Sequence, residues 1–426
     1  MLAPAASAQG VVDPKYRTLY DEAFRATYDH PTDLAAALAF AKVARLAGDI
    51  EGAIGALERV LIFNPDLAVV DLELGLLYRS LGSLDAARIH LLHADPAQLS
   101  PADRDVRERT LAELDAGLAR NKLTGIAVTG LRYQTNANAG AVEAARLAGG
   151  APGALNSLRA RPDADAFAAV TLTDSYDLGD QAGDTWDTRL SLYGTRQFHR
   201  HLLNIGLAEL DTGPRFRLGD STDPTVRPYV VANVFELGGT TYFVGDGGGT
   251  NLHAPLGPHW TADATFEVRS LSFYSSSIEP TAPDYDARQT LVRLLVGYTP
   301  GGGDLVTATL QGLNYDARRN FQTYDEVRLS ASYIHRFDAP WRWLSQPWAA
   351  ALYGGPVGRW YDHADPNIDP QQRRADGEWD LGAALIVGLA DKLDFRLEVQ
   401  QVWANSNVPL YEFRDTAVLG SLELRF

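Results

Sequence analysis

The spacing of apolar residues changes period near residue 122. Up to about Asn121 apolar positions recur every three to four residues, which predicts helices. Tyr20, Phe24 and Tyr28 form one such stripe within Tyr16–His30, and Leu111, Leu114 and Leu118 form another within a charged helix over 102–121. Beyond Leu123 apolar and polar residues alternate, which predicts strands. In the last of these, Val418, Gly420, Leu422, Leu424 and Phe426 oppose Leu419, Ser421, Glu423 and Arg425. Leu393, Phe395, Leu397 and Val399 oppose Asp394, Arg396, Glu398 and Gln400 in the same way. Fourteen strands are predicted: 123–135, 164–175, 184–197, 201–211, 226–236, 239–253, 259–275, 285–298, 304–316, 324–338, 346–361, 376–389, 391–404 and 414–426.

A β-sandwich would alternate too, but with its apolar face turned inward. Three features favour a closed barrel in lipid. The polar faces carry charges of both signs, as a wet lumen requires. Trp260, Tyr274, Tyr298, Trp348, Trp360, Tyr361, Trp379 and Trp403 fall near strand ends, where interfacial aromatic girdles lie. The final alternating strand ends on Phe426. The expected architecture is α+β multidomain: an N-terminal α-helical repeat domain followed by an antiparallel transmembrane β-barrel of about 14 strands. Leu389–Lys392 and Thr299–Asp304 read as short periplasmic turns, and 362–375 and 404–415 as outward loops. The tight turn at His199–His201 falls on the outer side, where longer loops are usual, so a strand could be missed or misplaced between 176 and 260. The Ala- and Gly-rich segment 136–163, with a helical piece near Val142–Leu147, is an external loop or a lid folded into the lumen.

Composition sharpens the division. All eight tryptophans and 31 of the 38 glycines lie beyond residue 122 of the 426. Acidic residues outnumber basic ones 54 to 38, a net charge of −16 that disfavours nucleic acid. The absence of cysteine excludes disulfides and thiolate chemistry. No run of 18 apolar residues forms a membrane helix, but hydropathy is blind to barrel strands. Ala6-Ser7-Ala8 before Gln9 resembles a signal-peptidase site, so residues 1–13 read as a signal remnant or disordered tail, 14–121 as the helical domain and 122–426 as the barrel.

Within the helical part a shift of 34 aligns Phe40 with Leu74, Gly48 with Gly82, Ala53 with Ala87, Leu57 with Leu91 and Pro31 with Pro65. The units 34–67 and 68–101 resemble the tetratricopeptide repeat. That resemblance places Lys42, Arg45 and Arg79 on the concave face of the array, a basic groove suited to a carboxylate or an acidic peptide; the bland alternative is arginine on a solvated helix.

No Gly-x-Ser-x-Gly, His-Glu-x-x-His, P-loop or dinucleotide fingerprint is present, and no cofactor is expected. Gly245–Gly249 and Gly301–Gly303 lack a following helix and read as a flexible strand and a turn. His199 and His201 flank Arg200 in a solvated turn, and Asp362-His363-Ala-Asp365 lacks the spacing of a calcium loop, so no metal is expected. His335 beside Ser330 and Ser332 is a tempting hydrolase set, but alternation puts it on the opposite face.

Arg132-Tyr133-Gln134-Thr135-Asn136-Ala137-Asn138-Ala139 closes the first strand. It is similar to the tyrosine and double-asparagine motif (here Tyr133, Asn136 and Asn138) of the surface lipoprotein assembly modifier family. Gly213-Pro214-Arg215-Phe216-Arg217 also resembles a stretch of those barrels. The resemblance implies an outer-membrane translocator with its repeats in the periplasm, passing proteins or lipoproteins to the cell surface. This chain has a shorter repeat region than the best-known members. Exopolysaccharide export porins share the domain order, usually with many more repeats. A third reading is a docking module whose barrel only anchors the repeats. Phe426 resembles the signal read by the barrel-assembly machinery. Arg293, Arg328, Asp394, Arg396, Glu398, Glu423 and Arg425 are expected to line the lumen and keep the pore wet. The expected partners are exported protein or lipoprotein cargo (or exopolysaccharide), outer-membrane lipid and the assembly machinery; the reading is non-enzymatic.

Overall fold

The computed structural model describes residues 13–426 except 31, 150–154, 156–157, 181, 220–223, 278 and 342–345. The signal-peptidase-like site, Pro31 and Trp343 lie outside the described residues, as does the side chain of Leu118. The chain divides into two compact units, Met1–Ala119 and Arg120–Phe426.

The first unit is helical: α1 (Arg17–Asp29), α2 (Leu34–Leu46), α3 (Ile50–Phe63), α4 (Ala68–Ser80), α5 (Leu84–His93) and α6 (Pro101–Leu118). The starts of α2 and α4 are one 34-residue period apart, and so are those of α3 and α5. Local chemistry sets these boundaries. Asp33 caps α2, Asp49 caps α3 and Ser100 caps α6, each side chain accepting from a first-turn amide. Gly48 (φ 85°) and Gly82 (φ 78°) turn the chain between paired helices in a conformation that other residues resist. Ala44, Ala53 and Ala87 are fully buried and let the helices approach, while Phe40, Leu57, Val60, Leu74 and Leu91 fill the core. Gly75 sits directly under Leu91. Tyr20 and Phe24 pack on Phe40. Tyr28, expected on the same stripe, is exposed instead.

The second unit is a closed antiparallel barrel in which each strand pairs with its sequence neighbours and the first pairs with the last. Its strands are β1 (Asn121–Gln134), β2 (Asp163–Asp177), β3 (Thr185–Gln197), β4 (Ile205–Arg217), β5 (Thr225–Leu237), β6 (Thr240–Pro255), β7 (Trp260–Phe273), β8 (Ala287–Gly301), β9 (Asp304–Ala317), β10 (Tyr324–Phe337), β11 (Trp348–Ala364), β12 (Arg373–Ala390), β13 (Leu393–Ser406) and β14 (Phe413–Arg425). Closure leaves no sheet edge, which is what permits strands to cross a bilayer.

The outer face is apolar and exposed: Leu192, Val230, Phe266, Val292, Leu310, Leu329, Leu352, Leu381, Leu397 and Leu422 all lie on it. Their partners in register carry the same outward phase, as in Phe395 against Leu422. An apolar belt of this extent has lipid as its natural solvent. Two aromatic rows border it. Tyr176, Trp186, Phe216, Trp260, Tyr298, Phe337, Trp348, Phe395 and Phe426 mark the rim where β1 begins, and Tyr133, Tyr274, Trp360, Trp379 and Trp403 mark the other. The first rim carries the short connections 256–259, 302–303 and 391–392; the second carries 135–162, 274–286 and 365–372. The architecture is that of outer-membrane barrels.

Three expectations need correction. Among the described residues no further strand lies between 176 and 260: residues 198–204 form a compact loop and Gly238-Gly239 a two-residue hairpin, so short connections do occur on the long-loop rim. β4 lies at Ile205–Arg217 rather than 201–211, because His201–Leu203 takes a helical turn. The loops 362–375 and 404–415 shrink to 365–372 and 407–412, since hairpin pairing continues beyond the aromatic row.

Candidate functional site

The lumen is the site. Period two sends Arg132, Asp165, Asp187, Arg189, Asp211, Arg227, Glu267, Arg269, Arg293, Glu326, Arg328, Arg359, Asp380, Glu398 and Arg425 inward. Most of these charges are consumed in pairs along the wall. Arg132 Nε donates to Asp165 Oδ2 at 2.9 Å, and Gln197 Nε2 donates to the same oxygen at 3.2 Å. Arg215 Nε reaches Asp187 at 2.6 Å, and Arg227 reaches Asp211 at 2.5 Å. Arg269 bridges Glu267 at 2.6 Å and Glu209 at 2.5 Å.

The glycine run of β6 explains the Arg269 cluster. It was expected to be a flexible strand, but it is regular and fully paired with β5 and β7. Tyr229 of β5 donates to Glu267 of β7 at 2.7 Å, reaching across β6. Arg269 of β7 reaches back to Asn233 of β5 at 3.3 Å and to Glu209 of β4. A Cβ on Gly249 would strike the Tyr229 hydroxyl, and one on Gly245 would strike Asn233. The missing side chains are therefore the floor on which the network lies. The same device recurs six strands away. Tyr353 of β11 crosses Gly382 of β12 to donate to Glu398 of β13, which also pairs with Arg396. The glycines were visible in the sequence; the tyrosines that occupy their places were not.

The lumen residues expected from alternation all lie on the inner face. Arg293 donates to Gln311 at 3.1 Å, and Arg328 bridges Asp380 at 2.9 Å and Glu326 at 3.8 Å. Arg396 pairs with Glu398, and Arg425 pairs with Asp394 and approaches Glu423 at 4.0 Å. The set falls into four separate groups on the β8–β14 wall, not one cluster. Against β3–β8 the lumen holds a cavity of about 700 Å³, which begins at Arg269, four residues below Phe273 along β7.

Above it lies a row of aromatic side chains. Phe243, Phe273, Tyr285, Tyr315, Tyr324 and Tyr361 follow one another in ring contact or by the 2.7 Å hydrogen bond from Tyr315 to Tyr285 O. Arg374 lies over Tyr361 at 4.7 Å and over Tyr411 at 3.3 Å. The Tyr285 hydroxyl is pushed up to about 12, first by burial and then by Glu279, Tyr242, Tyr411 and Asp365. Tyr285 and Tyr411 sit on hairpin loops six strands apart.

Tyr133 points outward in the aromatic row, whereas Asn136 and Asn138 fix the start of the long loop. Asn136 Nδ2 donates to Gly140 O at 2.9 Å and Arg414 O at 3.0 Å, and its Oδ1 accepts from Gly140 N at 2.7 Å. Asn138 Nδ2 donates to Arg159 O at 3.1 Å, and its Oδ1 accepts from Arg161 N at 2.8 Å. Sequence reasoning missed Asp415, which accepts from Gln134, Thr135 and the Asn136 amide and clasps β1 to β14. Among the described residues the loop's contacts run to the neighbouring 407–412 connection, as in Val142 N to Glu412 O at 2.8 Å. Phe426 completes the seam by exchanging backbone hydrogen bonds with Gly125, over which its ring lies.

In the helical unit Lys42 and Arg45 are exposed on α2 with no ion pair among the described residues, but Arg79 is held by Glu113 at 2.5 Å. Tyr78 donates to Glu58 and stacks on His90, which contacts Asp71 at 2.9 Å. Hydrogen bonding to Glu58, then burial, raises the Tyr78 hydroxyl to about 12; burial, then the bond to Asp49, raises Tyr20 to about 12. Both are protonated groups whose ionisation folding opposes. Their stabilisation is complete below pH 10 and is lost as pH rises towards 12. Helical content followed by circular dichroism should fall over that window, and Tyr20→Phe with Tyr78→Phe should flatten the fall.

His199 and the Arg200 amide converge on Asp163, which closes the 198–204 loop. His335 lies outside the barrel with Asp304 at 2.6 Å, while Ser332 is bonded to Thr307 at 2.7 Å.

No protein-family model matches this sequence, and no curated protein matches it. Among solved structures the chain is similar to OprB of Pseudomonas putida at 10% identity, over 75% of this chain and 96% of that one, with a TM-score of 0.37. It is similar to a bacterial polysaccharide outer membrane secretin at 10% identity, over 71% and 98%, with a TM-score of 0.36. PcrH from Pseudomonas aeruginosa matches 26% of this chain over its full length, at 16% identity and a TM-score of 0.19. The barrel assignment rests on this chain's own strand order.

Proposed function

We propose that this chain is an outer-membrane translocator whose helical unit recruits cargo in the periplasm and whose barrel passes or displays it at the surface. The cargo class is surface proteins, lipoproteins among them. The reading is carried by one observation: a barrel with a lipid-compatible outside encloses a charged lumen whose ion pairs run along the wall. Such a wall is wet without being sticky, since most of its charges are already neutralised. β1 begins at the short-turn rim, which in outer-membrane barrels faces the periplasm, and this supports a periplasmic place for the helical unit. The repeat period and the resemblance of the Tyr133–Asn138 stretch support the same reading. Phe426, seated at the closing seam, is proposed as the residue read by the assembly machinery.

The test is protease accessibility of the host's surface lipoproteins with and without this protein. Loss of accessibility for one or more is expected on deletion. Unchanged exposure of every lipoprotein, with changed surface polysaccharide, would replace this reading by exopolysaccharide export.

A further inference from the structure

The β3–β8 cavity has an uneven charge economy. All four of its lining carboxylates are taken: Glu209 and Glu267 by Arg269, Asp211 by Arg227 and Asp263 by His253 at 3.0 Å. Arg215 is committed to the adjacent Asp187. Two guanidiniums are left. Arg189 on β3 is exposed to the lumen and has no partner among the described residues, although Asp211 faces it in register, because Asp211 is bound to Arg227. Arg293 on β8 is exposed and, among the described residues, bonded only to the neutral amide of Gln311. A guanidinium with free donors in a recess is a ready carboxylate site.

We infer that Arg189 and Arg293 form the two ends of a binding site for an acidic, extended polypeptide segment of the cargo. The inference rests on the translocator reading and names the chemistry its cargo must carry. Five strand spacings of about 4.8 Å separate β3 from β8, roughly 24 Å of wall. No small anion spans that, whereas an extended chain covers it in about seven residues at about 3.3 Å each. Each carboxylate on the wall between has a hydrogen-bonding or ion-pair partner, which lessens its repulsion of the segment. The helical unit argues for polypeptide over saccharide. It too presents exposed unpaired cations, Lys42 and Arg45, on a stacked helical array of the kind that binds peptides. Two basic stations in a chain of net charge −16 suit one acidic ligand met twice.

Titration calorimetry on the full chain in detergent micelles tests this. The probe is a soluble Gly/Ser peptide with glutamates seven residues apart. Its glutamine counterpart and hexagalacturonate serve as comparisons. The acidic peptide should bind at least tenfold more tightly than the glutamine peptide. Arg189→Gln or Arg293→Gln should each weaken it about tenfold or more, and Lys392→Gln, in a rim turn, should not. Binding indifferent to both arginine variants, or no binding, overturns the inference and leaves the translocator reading to its own assay. Hexagalacturonate binding as tightly, with the same arginine dependence, overturns it in favour of a saccharide site.

Discussion

Replacing Gly247 with valine is expected to abolish assembly of the barrel. The Gly247 position faces the lumen beneath the Arg269 network, and any Cβ there would fall well inside contact distance of the Val268 carbonyl oxygen and the Arg269 Cα. Both are backbone atoms of the paired strand β7, so no rotamer change relieves the clash. The strands must separate or the register must slip, and a one-residue slip would turn the apolar face of β6 and β7 inward. Overpacking costs typically reach 1–3 kcal/mol where side chains can yield, and more is expected where only backbone can. Gly312→Ala is the control, because no atom lies within 4 Å of the Cβ it would gain. It should fold as the parent does, or slightly better, since glycine weakens a strand interior. The readout is the fraction of heat-modifiable, compact barrel on cold gels. A Gly247→Val protein that folds to the parental extent would show that β6 does not serve as the floor described.

Asp415→Ala should release the long loop from the closing seam without unfolding the barrel. Its carboxylate accepts from Thr135 Oγ1 at 3.0 Å, from the Asn136 amide at 2.8 Å and from Gln134 Nε2 at 3.0 Å. Removing it leaves three donors at one rim, at a cost of roughly 3 kcal/mol, if each charged bond is worth about 1 kcal/mol net after partial rehydration. About 1.4 kcal/mol is a factor of ten, so exchange of the Asn136 and Val142 amides should quicken by about a hundredfold. Amides deep in β7 and β8, such as Val268 and Leu294, should keep their protection. Asp415→Asn retains one acceptor oxygen and should fall between. Unchanged exchange at Asn136 would mean that the asparagine hydrogen bonds alone hold the loop.

The segment 135–162 shows how far a sequence reading reaches. Its composition announced a loop with a short helix, and α7 (Ala144–Leu147) is that helix. Whether it plugged the lumen was not legible, because that depends on Asp415 and Glu412, some 270 residues distant in the chain. The lumen charges were legible for the opposite reason. Which face Arg293, Arg328 or Glu398 occupies follows from period two alone, once the apolar face is known to be outside. Their partners were not. Arg269 meets Glu209 of a strand three places away, and only the tilt and stagger of a closed sheet bring them level. Lys42, Arg45 and Arg79, placed on a groove by the repeat resemblance, divide along the same line. All three are exposed, but the Glu113 partner that occupies Arg79 comes from α6.

The sequence by itself determined the helical part, fourteen strands, their inward and outward faces and the position of the aromatic rows. These depend on local periodicity, and each residue's face is set by its neighbours in the chain. Only the tertiary structure decided which strands close the barrel and which of the cavity's arginines have, among the described residues, a carboxylate partner. Those outcomes depend on atoms that meet across tens to hundreds of residues, where pairing and packing, not periodicity, select the contact.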